Sequence, residues 1–351
     1  MPTAPELARQ LRAALLRRER SVARRIVTLY GNAHRHILNS LNSLIDEMQR
    51  VVAQGETISP AWLMRQERYQ QLLTTIEGEM RTYTDLLPSA VGPGTYDAVS
   101  VGLTEARHLV EATLAPLPAA VRGALLARWT GPDTNAILAA AGFLDRGSPI
   151  WTVLTEFGPA LRQQVEQLVI DSLWLGYNPK RWARELRQVT GRGLDWSLRW
   201  ARTLQMNAYR EAARWSMMEN QHIVRGWIWW SALDNRTCMS CIAMHGTEHA
   251  VNEVLDDHHN GRCIALPIVP SYEELVGVPI EEEPLVVEKG PDWFNGLDER
   301  TQREMMGPGK YEAWREGKFK LENMWRVRTD AVWGQMRGEA SLRELIGGRA
   351  T

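Results

Sequence analysis

The sequence predicts a mainly α protein with an elongated multi-helix N-terminal body, a small β-rich Cys/His module and a short helical C-terminal tail. From Pro2 to Gln54, apolar residues recur every three or four positions, as in helices that pack against another long helix. From Ile223 the pattern changes to the alternation of bulky residues that is typical of strands. All three cysteines lie between Ile223 and Pro267, which marks this stretch as a separate module.

The composition limits the class of protein. The 351 residues are 44% hydrophobic and 24% charged, which is enough for a substantial core and argues against wholesale disorder. The net charge of −1 gives the chain as a whole no attraction for polyanions, so any such surface must be local. Three cysteines cannot all pair within the chain, which favours a reducing compartment or a metal site. There is no signal-peptide pattern and no apolar run near the roughly 20 residues that span a bilayer, so no membrane anchor is expected.

The first 54 residues are expected to form one long helix, or two in line. The apolar seam consists of Val22, Ile26, Leu29, Ala33, Ile37, Leu41, Leu44, Met48 and Val51. The early part of this helix is also rich in arginine, at Arg9, Arg12, Arg17, Arg18, Arg20, Arg24 and Arg25. These arginines either form an electrostatic face for DNA or an acidic partner, or are an ordinary solvated helix face. Long helices of this kind also predict self-association.

The expected domain organisation has four segments. They are a helical body at 1–222, a β-rich Cys3His metal module at 223–270, an acidic, proline-containing linker at 271–289, and a helical tail at 290–351. Within the body, glycine and proline predict a break from Pro88 to Gly94. Within the tail, helical pieces are expected around 297–305, 310–316, 321–336 and 340–347.

The cysteines and nearby histidines have the spacing of a metal site. Cys238 and Cys241 form a Cys-x-x-Cys pair, and His258 lies five positions before Cys263. Zinc prefers four nitrogen or sulfur ligands in a tetrahedron, and three thiolates with one imidazole would fill all four positions. The sequence therefore predicts a closed, structural zinc site at Cys238, Cys241, His258 and Cys263, with His259 as the reserve ligand.

The sequence is also compatible with other functions. The cysteines could simply be reduced thiols, with the histidines on the surface. A metal-dependent nuclease could use the cluster Asp257-His258-His259-Asn260, with a histidine as general base and a cation on the phosphate. A zinc-stapled DNA-binding module is a third hypothesis, and it predicts binding that weakens steeply with salt. The His-x-Glu that zinc deaminases require does not precede Cys238, which excludes that class.

Residues from about 195 to 270 resemble a known family. The motifs are Ala201-Arg202-Thr203, Asn207-Ala208-Tyr209-Arg210, Asp234-x-Arg236-Thr237-Cys238-x-x-Cys241 and His258-x-Asn260-Gly261-Arg262-Cys263. Their order is similar to that in the phage head morphogenesis family, the Mu protein F-like minor head proteins of tailed bacteriophages. Many members of that family carry a further cysteine where this chain has Gly261. The resemblance therefore implies that His258 completes the ligand set here.

The resemblance implies a non-enzymatic structural protein of the phage head. It implies a minor head, or minor capsid, protein at or near the portal vertex of the virion, with assembly in the host cytoplasm. The expected partners are the portal protein and the major capsid or scaffolding protein. Contact with phage DNA, including a role in its ejection, is a further expectation. No catalytic residue is expected on this reading.

Overall fold

Helices dominate the structure, a computed structural model that describes residues 2–134, 137, 149–174, 179–280 and 285–347. The predicted mainly α fold class is confirmed, with 66% of the described residues helical. The longer helices are α1 (Ala4–Ala53), α3 (Glu67–Thr113), α5 (Pro149–Trp174) and α6 (Pro179–Glu219). The shorter ones are α2 (Pro60–Met64), α4 (Ala119–Ala127), α7 (Met239–Met244), α8 (Tyr272–Val276), α9 (Gly290–Asn295), α10 (Glu299–Met306), α11 (Pro308–Arg315) and α12 (Leu342–Ile346). No helix of the described residues is long and apolar enough to cross a membrane.

The predicted break from Pro88 to Gly94 is wrong, because α3 continues through it from Glu67 to Thr113. A proline inside a helix removes one hydrogen bond and costs roughly 3 kcal/mol. Leu87 and Val91, which flank Pro88, are fully buried. Burying a large apolar side chain contributes roughly 1.5–3 kcal/mol, so this packing offsets the cost of the proline. Tertiary burial thus overrides the local signal.

The chain divides into two compact units. The first comprises Met1–Arg18, Thr95–Ala141 and Thr203–Thr351, and the second comprises Glu19–Gly94 and Gly142–Arg202. In the second unit, Tyr30 packs edge-on against Tyr83 at 5.2 Å between ring centroids, and Phe157 stacks on Trp196 at 4.7 Å. A side chain at Gly193 would collide with the Tyr30 hydroxyl, so this glycine permits the close approach.

A three-stranded antiparallel sheet forms the centre of the first unit. Its strands are β1 (Gly226–Trp230), β2 (Glu248–Ala250) and β3 (Ile264–Ile268), in the order β2-β1-β3. Every residue of β1 is buried, and Trp227 and Trp229 pack in one apolar cluster with residues of α3 and α6. The sequence predicts an extended conformation for this Trp-rich segment from its alternation of bulky residues, and the structure shows it as the buried strand β1.

The end of the chain contains a hairpin that the sequence analysis assigns to helix. Residues Leu321–Asn323 form a 3-10 turn, followed by the antiparallel strands β4 (Trp325–Asp330) and β5 (Gly334–Glu339). The helix expected around 321–336 is therefore wrong. The Asp330 carboxylate accepts backbone hydrogen bonds from Val332 and Trp333. Such a turn, closed by Gly334 at φ +72°, favours a hairpin over a helix.

The expected linker at 271–289 contains the short helix α8, whose first turn is capped by the Ser271 hydroxyl. The acidic run Glu281 to Glu283 lies outside the described residues. Arg337 in β5 is bound to the Asp256 carboxylate at 3.0 and 3.2 Å and lies 4.2 Å from the Trp325 ring centroid. These contacts attach the hairpin to the loop that carries the predicted metal ligands.

A buried carboxyl group makes the first unit sensitive to pH. Glu105 is 5% exposed, lies 3.8 Å from Arg18 and shares a hydrogen bond with the Tyr209 hydroxyl. Burial raises the pKa of Glu105 to about 7, although Tyr209 and Arg18 oppose the shift. Because the folded pKa lies above the unfolded one, Glu105 stabilises the fold at low pH and loses this contribution as pH rises through 7.

We expect Glu105→Gln to flatten this pH dependence. Relative to the variant, the wild-type free energy of unfolding should fall by about 1–3 kcal/mol between pH 5 and pH 8. Denaturant titrations at the two pH values measure the difference. Glu67→Gln, at an exposed residue of α3, is the control and should leave the wild-type profile unchanged. Identical profiles for wild type and Glu105→Gln would contradict the assignment.

Candidate metal centre

The candidate site is built at the meeting of β1, α7 and the loop before β3. Cys238 is the N-cap of α7, and Cys241 lies in its first turn. A spacing of three residues at a helix start places both thiols on one side of that turn. His258 comes from the loop, and Cys263 immediately precedes β3. The predicted ligands thus come from the start of α7 and from the loop that leads into β3.

Two thiols and an imidazole converge. The Cys238 Sγ lies 3.0 Å from His258 Nε2, and the Cys241 Sγ lies 3.4 Å from the same nitrogen. Sulfur and nitrogen ligands of one tetrahedral zinc are separated by about 3.5 Å, given the usual bond lengths. Cys238, Cys241, His258, Cys263 and Asp257 lie close enough together to hold a metal ion.

The orientation of His258 suits a metal ligand. Its Nδ1 lies 2.7 Å from the carbonyl oxygen of His259, a contact in which Nδ1–H donates. That donation fixes the ring so that Nε2 faces the thiols and offers its lone pair to a metal once its own proton has left. A ligand histidine usually donates its second ring N–H to a carbonyl or carboxylate in this way, which fixes the ring.

The pKa values of Cys238 and His258 also fit a role as metal ligands. Hydrogen bonds from Cys241 and His258 lower the pKa of Cys238 to about 4, although burial opposes the shift. Burial lowers the pKa of His258, but contacts with Cys238 and Asp257 outweigh it and raise the pKa to about 10. Without a metal, the two side chains share a proton as a thiolate–imidazolium pair. A divalent cation can replace that proton.

Cys263 groups with a different set of atoms. Its thiol clusters with Cys241 and Asp257, whereas Cys238 clusters with Cys241 and His258. The Cys263 Sγ lies 3.3 Å from the Ser231 hydroxyl. The structure therefore brings the four predicted ligands into one neighbourhood, but in two overlapping triplets that share Cys241.

Asp257, next to the thiols and the imidazole, forms a buried ion pair with Arg210. Arg210 of α6 donates to the Asp257 Oδ2 at 2.6 Å and, through Nε, to the Cys263 carbonyl at 3.0 Å. The same carboxylate accepts hydrogen bonds from the backbone N–H groups of His258, at 2.9 Å, and Cys263, at 3.2 Å. Burial would raise the pKa of Asp257, but Arg210 and its other donors keep it below the usual value.

This role of Arg210 is one that the sequence analysis does not assign. The sequence places Arg210 in a family motif without a partner, and it predicts Asp256 and Asp257 as acceptors for a ligand imidazole. In the structure Asp256 binds Arg337, and Asp257 binds backbone groups and Arg210. Arg210 lies at helical spacing from the buried residues Met206, Ala213 and Met217, and an arginine on such an apolar face is the signal that could have indicated a buried charge partner.

Gly261 is required by the approach of the same carboxylate. A Cβ atom at this position would lie 2.1 Å from the Asp257 Oδ2. The preceding residue, Asn260, has a φ of +62°, the left-handed conformation that asparagine tolerates better than most residues. The loop therefore turns tightly around Asp257, with no room for a side chain at 261.

The other histidines of the module have separate partners. His259 Nε2 lies 3.3 Å from Asp330, and His249 Nδ1 lies 3.0 Å from Glu253. His245 is buried, its Nδ1 accepts a hydrogen bond from the Ser231 N–H at 2.8 Å, and burial lowers its pKa to about 4. The reserve ligand His259 therefore faces the hairpin, away from the thiols that His258 contacts.

The four residues of the hypothetical nuclease cluster also face different partners. Asp257 is bound to Arg210, and His258 to Cys238. His259 is bound to Asp330, and the Asn260 N–H donates to the Thr203 hydroxyl at 3.3 Å. A general base and a metal-binding carboxylate would have to face one reacting phosphate. This arrangement offers no support for the nuclease hypothesis.

The seven arginines predicted as a face for DNA or an acidic partner lie along α1. Arg12 is partly buried and donates from Nε to the Arg262 carbonyl at 3.3 Å. The other six are exposed, namely Arg9, Arg17, Arg18, Arg20, Arg24 and Arg25, and Arg18 is also paired with Asp97 at 3.1 Å. These six have the exposure that contact with DNA or an acidic partner would need.

Comparison with known proteins supports the resemblance found in the sequence. Residues 163–266 match the family described as phage Mu protein F like protein. The matched segment includes β1, α7 and the four predicted ligands, and it covers less than half of the chain. Comparison with curated proteins and with solved structures gave no significant match.

Over residues 163–266 the chain is similar to a phage head-related family. The suspected relationship to the phage head morphogenesis family is thereby confirmed over the matched segment. The chain combines a mainly α architecture with a partly buried Cys/His cluster that can hold a metal ion.

The buried ion pair gives the site its first test. We expect Arg210→Met to destabilise the first unit by about 3–5 kcal/mol, because Asp257 would remain as a buried, unpaired charge. Thermal or denaturant unfolding measures the change. The matched control is Arg214→Met on the same helix, which breaks a more exposed pair with Glu211 and should cost at most about 1 kcal/mol. Equal effects of the two variants would contradict the role given to Arg210.

Proposed function

We propose that the protein is a minor head protein of a tailed bacteriophage, acting in head morphogenesis at or near the portal. The observation that carries the proposal is the family match over residues 163–266. The long helices α1, α3 and α6 support it, because they offer extended surfaces for assembly. The protein acts as a structural component of the virion and not as an enzyme, and it enters the particle during assembly in the host cytoplasm.

The proposed partners follow from that location. The portal protein is the first, with the major capsid or scaffolding protein and further copies of the chain as additional contacts. Phage DNA would contact the exposed arginines of α1 in the head, and again as it leaves the particle during ejection. Binding of this kind rests on neutralised phosphates and weakens as salt concentration rises.

The proposed role of the Cys/His cluster is to hold a structural zinc ion. Cys238, Cys241 and His258 provide two thiolates and a correctly oriented imidazole nitrogen. The sequence predicts Cys263 as the fourth ligand. Zinc bound here would join α7 to the loop before β3, so its binding energy would add directly to the stability of the fold.

Co-assembly tests the proposed function. We expect the purified chain to bind the portal protein of the same phage, or portal-bearing procapsids, in a pull-down or co-sedimentation assay. Procapsids assembled without portal are the control and should retain much less of it. Failure to associate with any head component, by a chain that is folded by circular dichroism, would contradict the proposal.

Metal analysis tests the zinc proposal separately. Protein purified without chelator should contain about one zinc per chain, and Cys238→Ser should lose it. Chelation or Cys238→Ser should lower the free energy of unfolding by several kcal/mol, because metal binding counts as folding energy. His249→Ala, at a histidine of the same module that faces Glu253, is the control and should retain the metal. Finding no zinc in the wild-type protein would exclude the proposal.

A further inference from the structure

We propose that Cys238 and Cys241 are also a redox-sensitive dithiol, which hydrogen peroxide oxidises reversibly to a disulfide that no longer holds a metal ion. The disulfide rests on the placement of the two thiols, whether or not a metal is bound. The loss of metal rests on the proposed zinc site and goes beyond it by giving that site a means of release. Reversible oxidation of this kind needs an accessible thiol next to a second thiol that resolves it.

The start of α7 brings the two thiols into the range of a disulfide. Cys238 is the N-cap of the helix, and Cys241 follows three residues later in the first turn. Cα atoms three residues apart in a helical turn are about 5 Å apart, and disulfides join Cα atoms roughly 4.4–6.8 Å apart. The two Sγ atoms lie within 4.8 Å of each other and share a hydrogen bond. The disulfide can therefore close by rotation of the two side chains.

The two thiols differ in access, as an attacking thiol and a resolving thiol require. Cys238 is partly exposed, whereas Cys241 is 5% exposed. All three cysteines border a cavity of about 80 Å³. That volume is enough for several water-sized groups, so it admits hydrogen peroxide. Since Cys238 is the most exposed of the three, a peroxide that enters from solvent would meet its sulfur first.

Cys263 is placed to stay out of this reaction. It is 4% exposed and groups with Cys241 and Asp257. Cys238 groups instead with Cys241 and His258. Oxidation that begins at Cys238 therefore reaches Cys241 before Cys263.

The reaction has two steps and consumes one peroxide for each disulfide. The Cys238 sulfur attacks a peroxide oxygen and breaks the O–O bond, which gives a sulfenic acid and one water. The Cys241 sulfur then attacks the sulfenic sulfur, so that the S–S bond forms, the S–O bond breaks and the second water leaves with the remaining thiol proton. The two thiols lose two electrons, and the peroxide is reduced to two waters.

Disulfide formation would remove both sulfurs of α7 from the metal, because zinc binds thiolates and a disulfide sulfur carries no charge. His258 would remain, but the link between α7 and its loop would be lost. The host cytoplasm keeps thiols reduced, whereas the surroundings of a released particle are oxidising. If the proposed function holds, the metal would be held during assembly and released by oxidants outside the cell.

Peptide mapping tests the disulfide directly in the full wild-type chain. After treatment with hydrogen peroxide, free thiols are alkylated and the denatured chain is cut with trypsin. Residues 237–262 then carry Cys238 and Cys241, and residues 263–289 carry Cys263. We expect the first peptide without alkyl groups and two hydrogens lighter than its reduced form, and Cys263 alkylated. Dithiothreitol should restore both alkylation sites of the first peptide.

Three outcomes of the mapping would overturn the proposal. They are a disulfide that joins the two peptides, thiols that stay fully alkylated, and an oxidation that dithiothreitol does not reverse. None of these outcomes depends on a variant, so the wild-type chain decides the question even where a substitution prevents folding.

Variants that fold by circular dichroism separate the roles of the two thiols. Cys241→Ala should abolish the disulfide and leave Cys238 as a sulfenic acid, which dimedone labels. In Cys238→Ala, dimedone labelling of Cys241 should be slower by about tenfold or more, because oxidation follows exposure. His249→Ala, in the same module and facing Glu253, is the control and should form the disulfide as the wild type does. Equal labelling of the two single variants would contradict the roles assigned here.

Release of metal is measured on zinc-loaded protein with a chromophoric zinc chelator. We expect about one zinc released for each disulfide formed, and renewed zinc binding after reduction. Zinc retained by chains that carry the disulfide would overturn the release. A chain that forms the disulfide but never binds zinc would overturn the zinc site and with it the release. Neither result would affect co-assembly with the portal, so a failure here is distinguishable from a failure of the proposed function.

Discussion

The ion pair between Arg210 and Asp257 is the interaction on which the metal module depends. Both side chains are buried, with 6% and 0% of their surfaces exposed. Removing two charges from water is costly, and the cost is recovered only when every hydrogen-bonding atom has a partner. Here the Asp257 carboxylate accepts a backbone hydrogen bond from the loop at His258, and the Arg210 guanidinium donates to the carbonyl of Cys263, just before β3. The pair therefore ties the long helix α6 to the residues that surround the thiols.

The same pair decides which groups remain free to bind a metal. A carboxylate near two thiols and an imidazole would ordinarily compete as a hard ligand. Asp257 is bound to Arg210 and to two backbone N–H groups, so in the proposed zinc site the thiolates and the imidazole would hold the metal. Soft thiolates and imidazole favour zinc over magnesium or calcium. In that proposal the ion pair would contribute to metal selectivity without binding the metal.

Local patterns in the sequence predicted the helices, the strand at Trp227 and the neighbourhood of the cysteines. The spacing of Cys238 and Cys241 was informative because two residues three positions apart at the start of a helix have their side chains close together. Pro88 led to the wrong prediction of a helix break, because the burial of Leu87 and Val91 that offsets its cost cannot be recognised from the local sequence. The C-terminal hairpin was missed because its turn depends on one carboxylate, that of Asp330.

The finer arrangement of the site could not be predicted, because it is set by residues distant in sequence. The contact of Cys263 with Ser231 spans 32 positions, and that of Arg210 with Asp257 spans 47. Neither pair has a spacing that a motif would reveal. A list of metal-binding residue types gives the members of the cluster, whereas their hydrogen bonds determine which of them are available.

Gly261 couples the ligand loop to the buried ion pair. A Cβ atom at this position would occupy the space that the Asp257 carboxylate fills. A side chain at 261 therefore requires a smaller or differently placed residue at 257, and with it a new partner for Arg210. Residues 210, 257 and 261 thus form one group, in which a change at one position constrains the other two.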